Sequence, residues 1–202
     1  MSVRVYVEGG GEHNKALQTE CRRAFSEFLQ KAGLAGRMPK IVACGRRSSA
    51  YERFCTSQES SHTEHFPVLL VDSEDPVVEP IPWDHVRLRP GDRWSRPNGA
   101  LDDQIHFMVQ AMEAWFHADK ESLQRFYGSL FRVAALSQRN GIENIAKADL
   151  FNGLQRATRD CPKGEYSKGE VSFQVLAQID PAKVRKASSH TDRFLTVLDK
   201  VC

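Results

Sequence analysis

The 202-residue sequence predicts an α/β fold, a small, mainly parallel sheet flanked by helices with a helical C-terminal extension. Three observations predict it. Short β-branched runs alternate with amphipathic stretches in the first part of the chain, the order that builds parallel sheets wrapped by helices. Val68-Leu69-Leu70-Val71 lies in a run that is apolar throughout, as a strand buried on both faces must be. Beyond about Glu121 helical patterns dominate. The expected division is an α/β core over residues 1–120 and a helical extension over 121–202, packed together as one compact unit.

In order, Val3 to Val7 reads as a short buried strand, and Gly9-Gly10-Gly11 as a tight turn free of side chains. From Glu12 to about Lys31, Leu17, Cys21, Ala24, Phe25, Phe28 and Leu29 recur at three- and four-residue spacing on one helical face, and Gly33 and Gly36 end that helix. Lys40 to Cys44 is a second strand and Ser49 to Ser57 a polar helix. Phe66 to Val71 is a third strand, and His85 to Leu88, inside a Pro- and Trp-rich segment, is the candidate fourth. Leu101 to Asp119 reads as a strong helix, with Ile105, Met108, Val109, Met112, Trp115 and Phe116 as its apolar stripe and Asp102 and Asp103 near its N-terminus. The later helices break at Cys161 to Gly169 and at Asp180-Pro181.

Composition is that of a globular protein, 41% hydrophobic and 27% charged, with a formal net charge of only +2. No overall polycation announces nucleic acid, although local basic clusters are compatible either with a phosphate-facing surface or with solvated faces. Five cysteines with no Cys-x-x-Cys pair argue against a disulfide framework and a structural zinc site, and for reduced thiols in the cytoplasm. No apolar stretch approaches membrane-spanning length and the N-terminus has no signal-peptide pattern, so no membrane association is expected.

The chemistry concentrates where two apolar runs end in acids. Glu8 closes the first strand in Val7-Glu8-Gly9-Gly10-Gly11-Glu12, and Asp72-Ser73-Glu74 closes the third. In open parallel sheets, the carboxyl ends of the strands are where ligands bind. Carboxylates converging there repel unless a cation compensates them, which points to Mg²⁺ or Mn²⁺. Neither Gly-x-Gly-x-x-Gly nor a Walker lysine is present, so the glycine turn is not that of a nucleotide-binding loop. Glu12, at a helix start, is explained equally by the helix dipole and by metal binding. Asp72 and Glu74 alternate, so on a continuing strand they project to one face. Glu113 lies on an otherwise apolar face, where an unpaired carboxylate is costly; it meets either a metal or a structural partner such as an arginine of Arg87 to Arg96. His106 is a base or a satisfied core histidine. Trp83 and Trp94 stack on bases or anchor their loop.

These motifs resemble the TOPRIM domain of primases, topoisomerases and a group of bacterial nucleases. Glu8 matches the glutamate of its Val-Glu-Gly turn. Asp72 and Glu74 match its Asp-x-Asp, with Glu replacing the second Asp. Glu12 extends the likeness to the Val-Glu-Gly-x-x-Glu form of overcoming-lysogenisation-defect type nucleases. His106 to Phe116, Tyr166-Ser167-Lys168-Gly169 and Ile179 to Val184 look like segments of an uncharacterised bacterial domain-of-unknown-function family of small TOPRIM-like proteins. The resemblance implies a metal-dependent nuclease acting on DNA or RNA. Glu8, Asp72 and Glu74 would serve as catalytic metal ligands, Glu12 and Glu113 would complete or flank the shell, and Lys168 would steady phosphate charge. Arg46, Arg47 and Lys163 are the candidates for nucleic-acid contact. It further implies anti-phage defence and control by an ABC- or SMC-like ATPase encoded nearby. The sequence leaves the oligomeric state open, a homo-oligomer included. A non-catalytic module binding an ATPase or nucleic acid is the alternative.

Overall fold

Among the described residues four strands, all parallel, form one sheet in the order β2-β1-β3-β4. The computed structural model describes residues 2–60 and 65–202. The strands are β1 (Ser2–Val7), β2 (Lys40–Ala43), β3 (His65–Asp72) and β4 (Ile105–Met108). The α/β class, the parallel sheet and the helical C-terminal part agree with the pattern of the sequence. Strand β3 pairs on both sides, with β1 (Val7 opposite Leu70) and with β4 (Asp72 opposite Met108), which is why its Val68 to Val71 run is wholly buried.

Two apolar layers sandwich the sheet. On one face, Val3, Val5, Val7, Val68 and Leu70 pack against Cys21, Ala24, Phe25 and Phe28 of α1 (Lys15–Leu29). Asn14 starts that helix by accepting the Leu17 N–H on Oδ1 at 3.0 Å. The same layer continues through α4 (Glu113–Ala118), α5 (Lys120–Tyr127), α6 (Lys147–Thr158), α7 (Glu170–Gln178), α8 (Pro181–Ala187) and α9 (Ser189–Val201). On the other face, Tyr6, Leu69, Val71 and Phe107 meet Ala50 and Phe54 of α2 (Arg47–Ser60) and Trp83 and Val86 of α3 (Pro82–Leu88).

Two sequence expectations are corrected. His85–Leu88 is not the fourth strand: Pro82 sits in the first turn of a helix that includes it. Leu101 to Asp119 is not one helix. A short 3₁₀ turn, Asp102–Gln104, leads into β4, and α4 begins only at Glu113. Ile105, His106, Phe107 and Met108 are all buried although β4 is the last strand of the sheet, and a run buried on both faces carries no alternation to set it apart from a buried helix. The partner strand decides between the two readings, and it lies distant in sequence. Strand β4 is further held by Arg193 of α9, which donates to the carbonyl of Ile105 at 2.9 Å and to that of Asp102 at 2.5 Å.

Candidate metal centre

Because β1 and β3 run side by side and parallel, their carboxyl ends emerge at the same sheet edge. The Glu8 N–H continues the ladder to the carbonyl of Leu70 at 3.2 Å, and the Asp72 N–H donates back to Glu8 Oε2 at 3.2 Å. Beyond Asp72 the chain turns. Glu74 adopts a left-handed backbone (φ 68°), its N–H held by the carbonyl of Gln110 at 2.9 Å. A non-glycine residue in that region is uncommon and costs about 1 kcal/mol or more, so the bond to Gln110 is part of what aims this side chain. One oxygen from each of Glu8, Asp72 and Glu74 lies within 4.8 Å of the others.

Burial and mutual repulsion act on these acids. Desolvation, and then the charges of Glu8 and Glu113, hold Asp72 well above the usual carboxylate range. Glu8 is also pushed up by burial, against the Arg47 guanidinium and the Asp72 amide, which pull it down. Asp72 Oδ1 takes the Met112 N–H at 2.8 Å, which fixes the carboxylate plane.

Two cations face the cluster in different ways. Lys147, the first residue of α6, places Nζ 2.5 Å from Glu74 Oε1 and 3.8 Å from Asp72 Oδ2. Burial works against its charge, but Asp72 and Glu74 outweigh burial and raise its pKa. Arg47 donates to both oxygens of Asp92 at 2.9 and 2.7 Å, donates to the carbonyl of Asp72, stacks 4.7 Å from the Trp94 ring and lies 3.9 Å from Glu8 Oε2.

Beside the cluster opens a cavity of about 250 Å³. Glu8, Asp72 and the Gly9–Gly11 turn form one wall, Met108, Met112 and Glu113 a second, and Lys168, Gly169, Ser172 and Phe173 a third. Glycine is required in the first wall. Gly10 has φ +88°, and a Cβ there would lie 2.9 Å from the Gln18 backbone. Glu113 is 2% exposed. Its Oε1 accepts the Tyr166 hydroxyl at 2.8 Å, while Oε2 has no hydrogen-bond partner among the described residues. Tyr166 also meets Ser172 Oγ at 2.8 Å.

Of the residues singled out in the sequence, Glu8, Asp72 and Glu74 come together, and Glu113 and Lys168 line the adjoining cavity. Lys168 Nζ also lies 4.5 Å from the Phe151 ring centroid. Glu12 is not among the three converging acids. It pairs with Arg46 at 3.0 Å and accepts from Ser49 at 3.2 Å. Lys163 packs over the Phe126 ring at 4.7 Å and is absent from the cavity wall. The structural partner expected for Glu113 is Tyr166 rather than an arginine. His106 is a core residue, bonded to the Asp103 carbonyl and Arg193 and pushed down to about 3 by burial and by Arg193. Trp83 and Trp94 anchor their segment: both are buried, Trp94 stacked at 4.4 Å on Tyr51. Lys147, Asp92 and Gln110 carry no sequence signal of their own, since each acts through a partner far along the chain.

A family model described as Domain of unknown function (DUF4276) matches residues 7–199, and the chain belongs to that family. No curated protein and no solved structure matches the chain. Among the described residues no helix is long and apolar enough to cross a membrane.

Proposed function

We propose that this member of the DUF4276 family is a divalent-metal-dependent nuclease of TOPRIM type, hydrolysing phosphodiester bonds of DNA or RNA. Glu8, Asp72 and Glu74 are the proposed ligands of Mg²⁺ or Mn²⁺, with Glu113 flanking them and Glu12 at the rim. The observation that carries the reading is the convergence of three carboxylate oxygens within 4.8 Å at the carboxyl ends of two neighbouring parallel strands. An all-oxygen, acidic donor set around a buried aspartate fits a hard dication, and the unpartnered Oε2 of Glu113 gives the adjoining cavity further capacity for positive charge.

A bound ion supplies the charge that polarises a phosphate and acidifies water. The remaining work falls to this chain's residues. Asp72, fixed by the Met112 N–H, presents its second oxygen to the site. The glycine turn keeps that wall free of side chains, so a phosphodiester can approach the backbone closely. Lys168, on the cavity wall, offsets charge developing on the phosphate. Arg47 is committed to Asp92 and the Asp72 carbonyl, and so positions acids rather than gripping substrate. Exposed Arg46 is the better candidate for backbone contact, with Lys163 more remote.

The family resemblance adds a cytoplasmic anti-phage role under the control of an ABC- or SMC-like ATPase. With Mn²⁺, the purified protein should nick supercoiled plasmid or cut tRNA, and Glu8→Ala should lower the rate by about 100-fold or more. Equal cleavage by the two proteins would refute the assignment. A second reading, a non-catalytic module binding an ATPase or nucleic acid, is favoured by one observation: Lys147 and Arg47 already counter the acids without an ion. Calorimetric Mn²⁺ binding without turnover on either nucleic acid would select it.

A further inference from the structure

We infer that Lys147 is an internal surrogate for the dication: its ammonium occupies the place between Asp72 and Glu74 that the ion takes, and ion binding expels it. This rests on the reading of the acid cluster as a metal centre. The geometry argues for exclusion. Nζ stands 2.5 Å from Glu74 Oε1 and 3.8 Å from Asp72 Oδ2, both of them oxygens of acids in the cluster. A Mg²⁺-sized ion binds such oxygens at about 2.0–2.1 Å, so ion and ammonium would stand almost in contact with like charge.

The two cations at the site differ in their freedom to leave. Arg47 is bound to both Asp92 oxygens and to the Asp72 carbonyl, and stacked on Trp94. Lys147 holds one close ion pair through a flexible stem, and its side chain is 26% exposed, so a path to water exists. Its backbone stays anchored, because the Lys147 N–H donates to Gln110 Oε1 at 3.3 Å and Gln110 in turn accepts the Glu74 N–H. Lys147 is absent from the wall of the 250 Å³ cavity, so it reaches the acids from the α6 side while the cavity side stays open. The ion-free acids are therefore held in register by the lysine.

The test is calorimetric titration of Mn²⁺ into metal-stripped wild type, Lys147→Met and Lys147→Arg, with thermal unfolding in EDTA and in Mn²⁺. Lys147→Met should bind Mn²⁺ about tenfold or more tightly than wild type, and Lys147→Arg no more tightly. Lys147→Met should also melt lower in EDTA and gain more from Mn²⁺. Equal or weaker binding by Lys147→Met overturns the inference. If Lys147→Met fails to fold without metal, refolding with Mn²⁺ must recover it, since the ion takes the lysine's place; no recovery also overturns the inference. Binding by Lys147→Met where wild type shows none supports it. Wild-type cleavage with Mn²⁺ and no tighter binding by Lys147→Met removes this inference alone. No binding by any of the three removes the metal-centre reading with it.

Discussion

At the scale of single residues, the Glu113–Tyr166 pair is informative because, among the described residues, one carboxylate oxygen is satisfied and the other is not. Burial and the nearby Glu113 raise the Tyr166 phenol, so it stays a neutral donor across the accessible range. Removing that donor leaves a buried acceptor bare, at a cost of about 1–3 kcal/mol. Tyr166→Phe should lower the urea midpoint accordingly, and an unchanged midpoint would mean that water reaches Glu113 freely. The need for a partner was legible in the sequence, because an acid on an apolar face must be satisfied. The identity of that partner was not. Tyr166 lies 53 positions further on, in a loop whose glycines and lysines draw attention to charge rather than to a phenol. Lys147 was silent for the same reason: a lysine at a helix start has no local mark of the acids it will meet.

Among the elements, the strands that build the site were the easiest to read. Strands β1 and β3 are short, β-branched and each closed by acids, and those properties reside in contiguous sequence. Strand β4 was hidden, because Ile105 to Phe116 satisfies helical and buried-strand spacing alike and only the pairing of Leu69 to Asp72 with Ile105 to Met108 decides it. The turn after β1 gives a test at this scale. Gly9 and Gly45 exchange backbone hydrogen bonds at 2.8 Å, and a Cβ on Gly45 would lie 2.9 Å from Glu12 Cα in addition to the strain of φ +78°. Gly33 shares a positive φ, but a Cβ there would meet nothing within 4 Å. Gly45→Ala should therefore destabilise by at least about 1 kcal/mol more than Gly33→Ala in denaturant melts, since backbone rather than a flexible side chain must move. Equal costs would mean that the Gly9–Gly45 bridge yields without effort.

For the molecule as a whole, the acid cluster links folding to protons and, on the proposed reading, to metal. Asp72 and Glu8 have folded-state pKa values above their ordinary 3.8 and 4.5. At these two acids the folded state thus binds more protons than the unfolded chain between those values and the raised ones, so their share of the metal-free stability should fall as pH climbs through that window, against the share of buried His106, whose lowered pKa makes stability rise up to about its ordinary 6.5. A cation that binds only the folded acids should reverse the trend, adding about 2.7 kcal/mol at a hundredfold excess over its dissociation constant. Melting curves from pH 4 to 8 in EDTA and in Mn²⁺ measure both slopes. Asp72→Asn should remove the Asp72 share of the metal-free slope, and a slope unaltered by that substitution would place its origin elsewhere.

The cavity also joins the end of the first strand to residues 168–173, more than 150 positions further along the chain. A polypeptide still on the ribosome, with β1 to β3 emerged but Lys168 and α7 not, has only part of the enclosure. If the chain is the nuclease proposed above, unfinished copies should accordingly be inert towards the cell's own nucleic acids. On the proposed reading, hydrolytic power would arrive only once residues 8–11 and 168–173 have met.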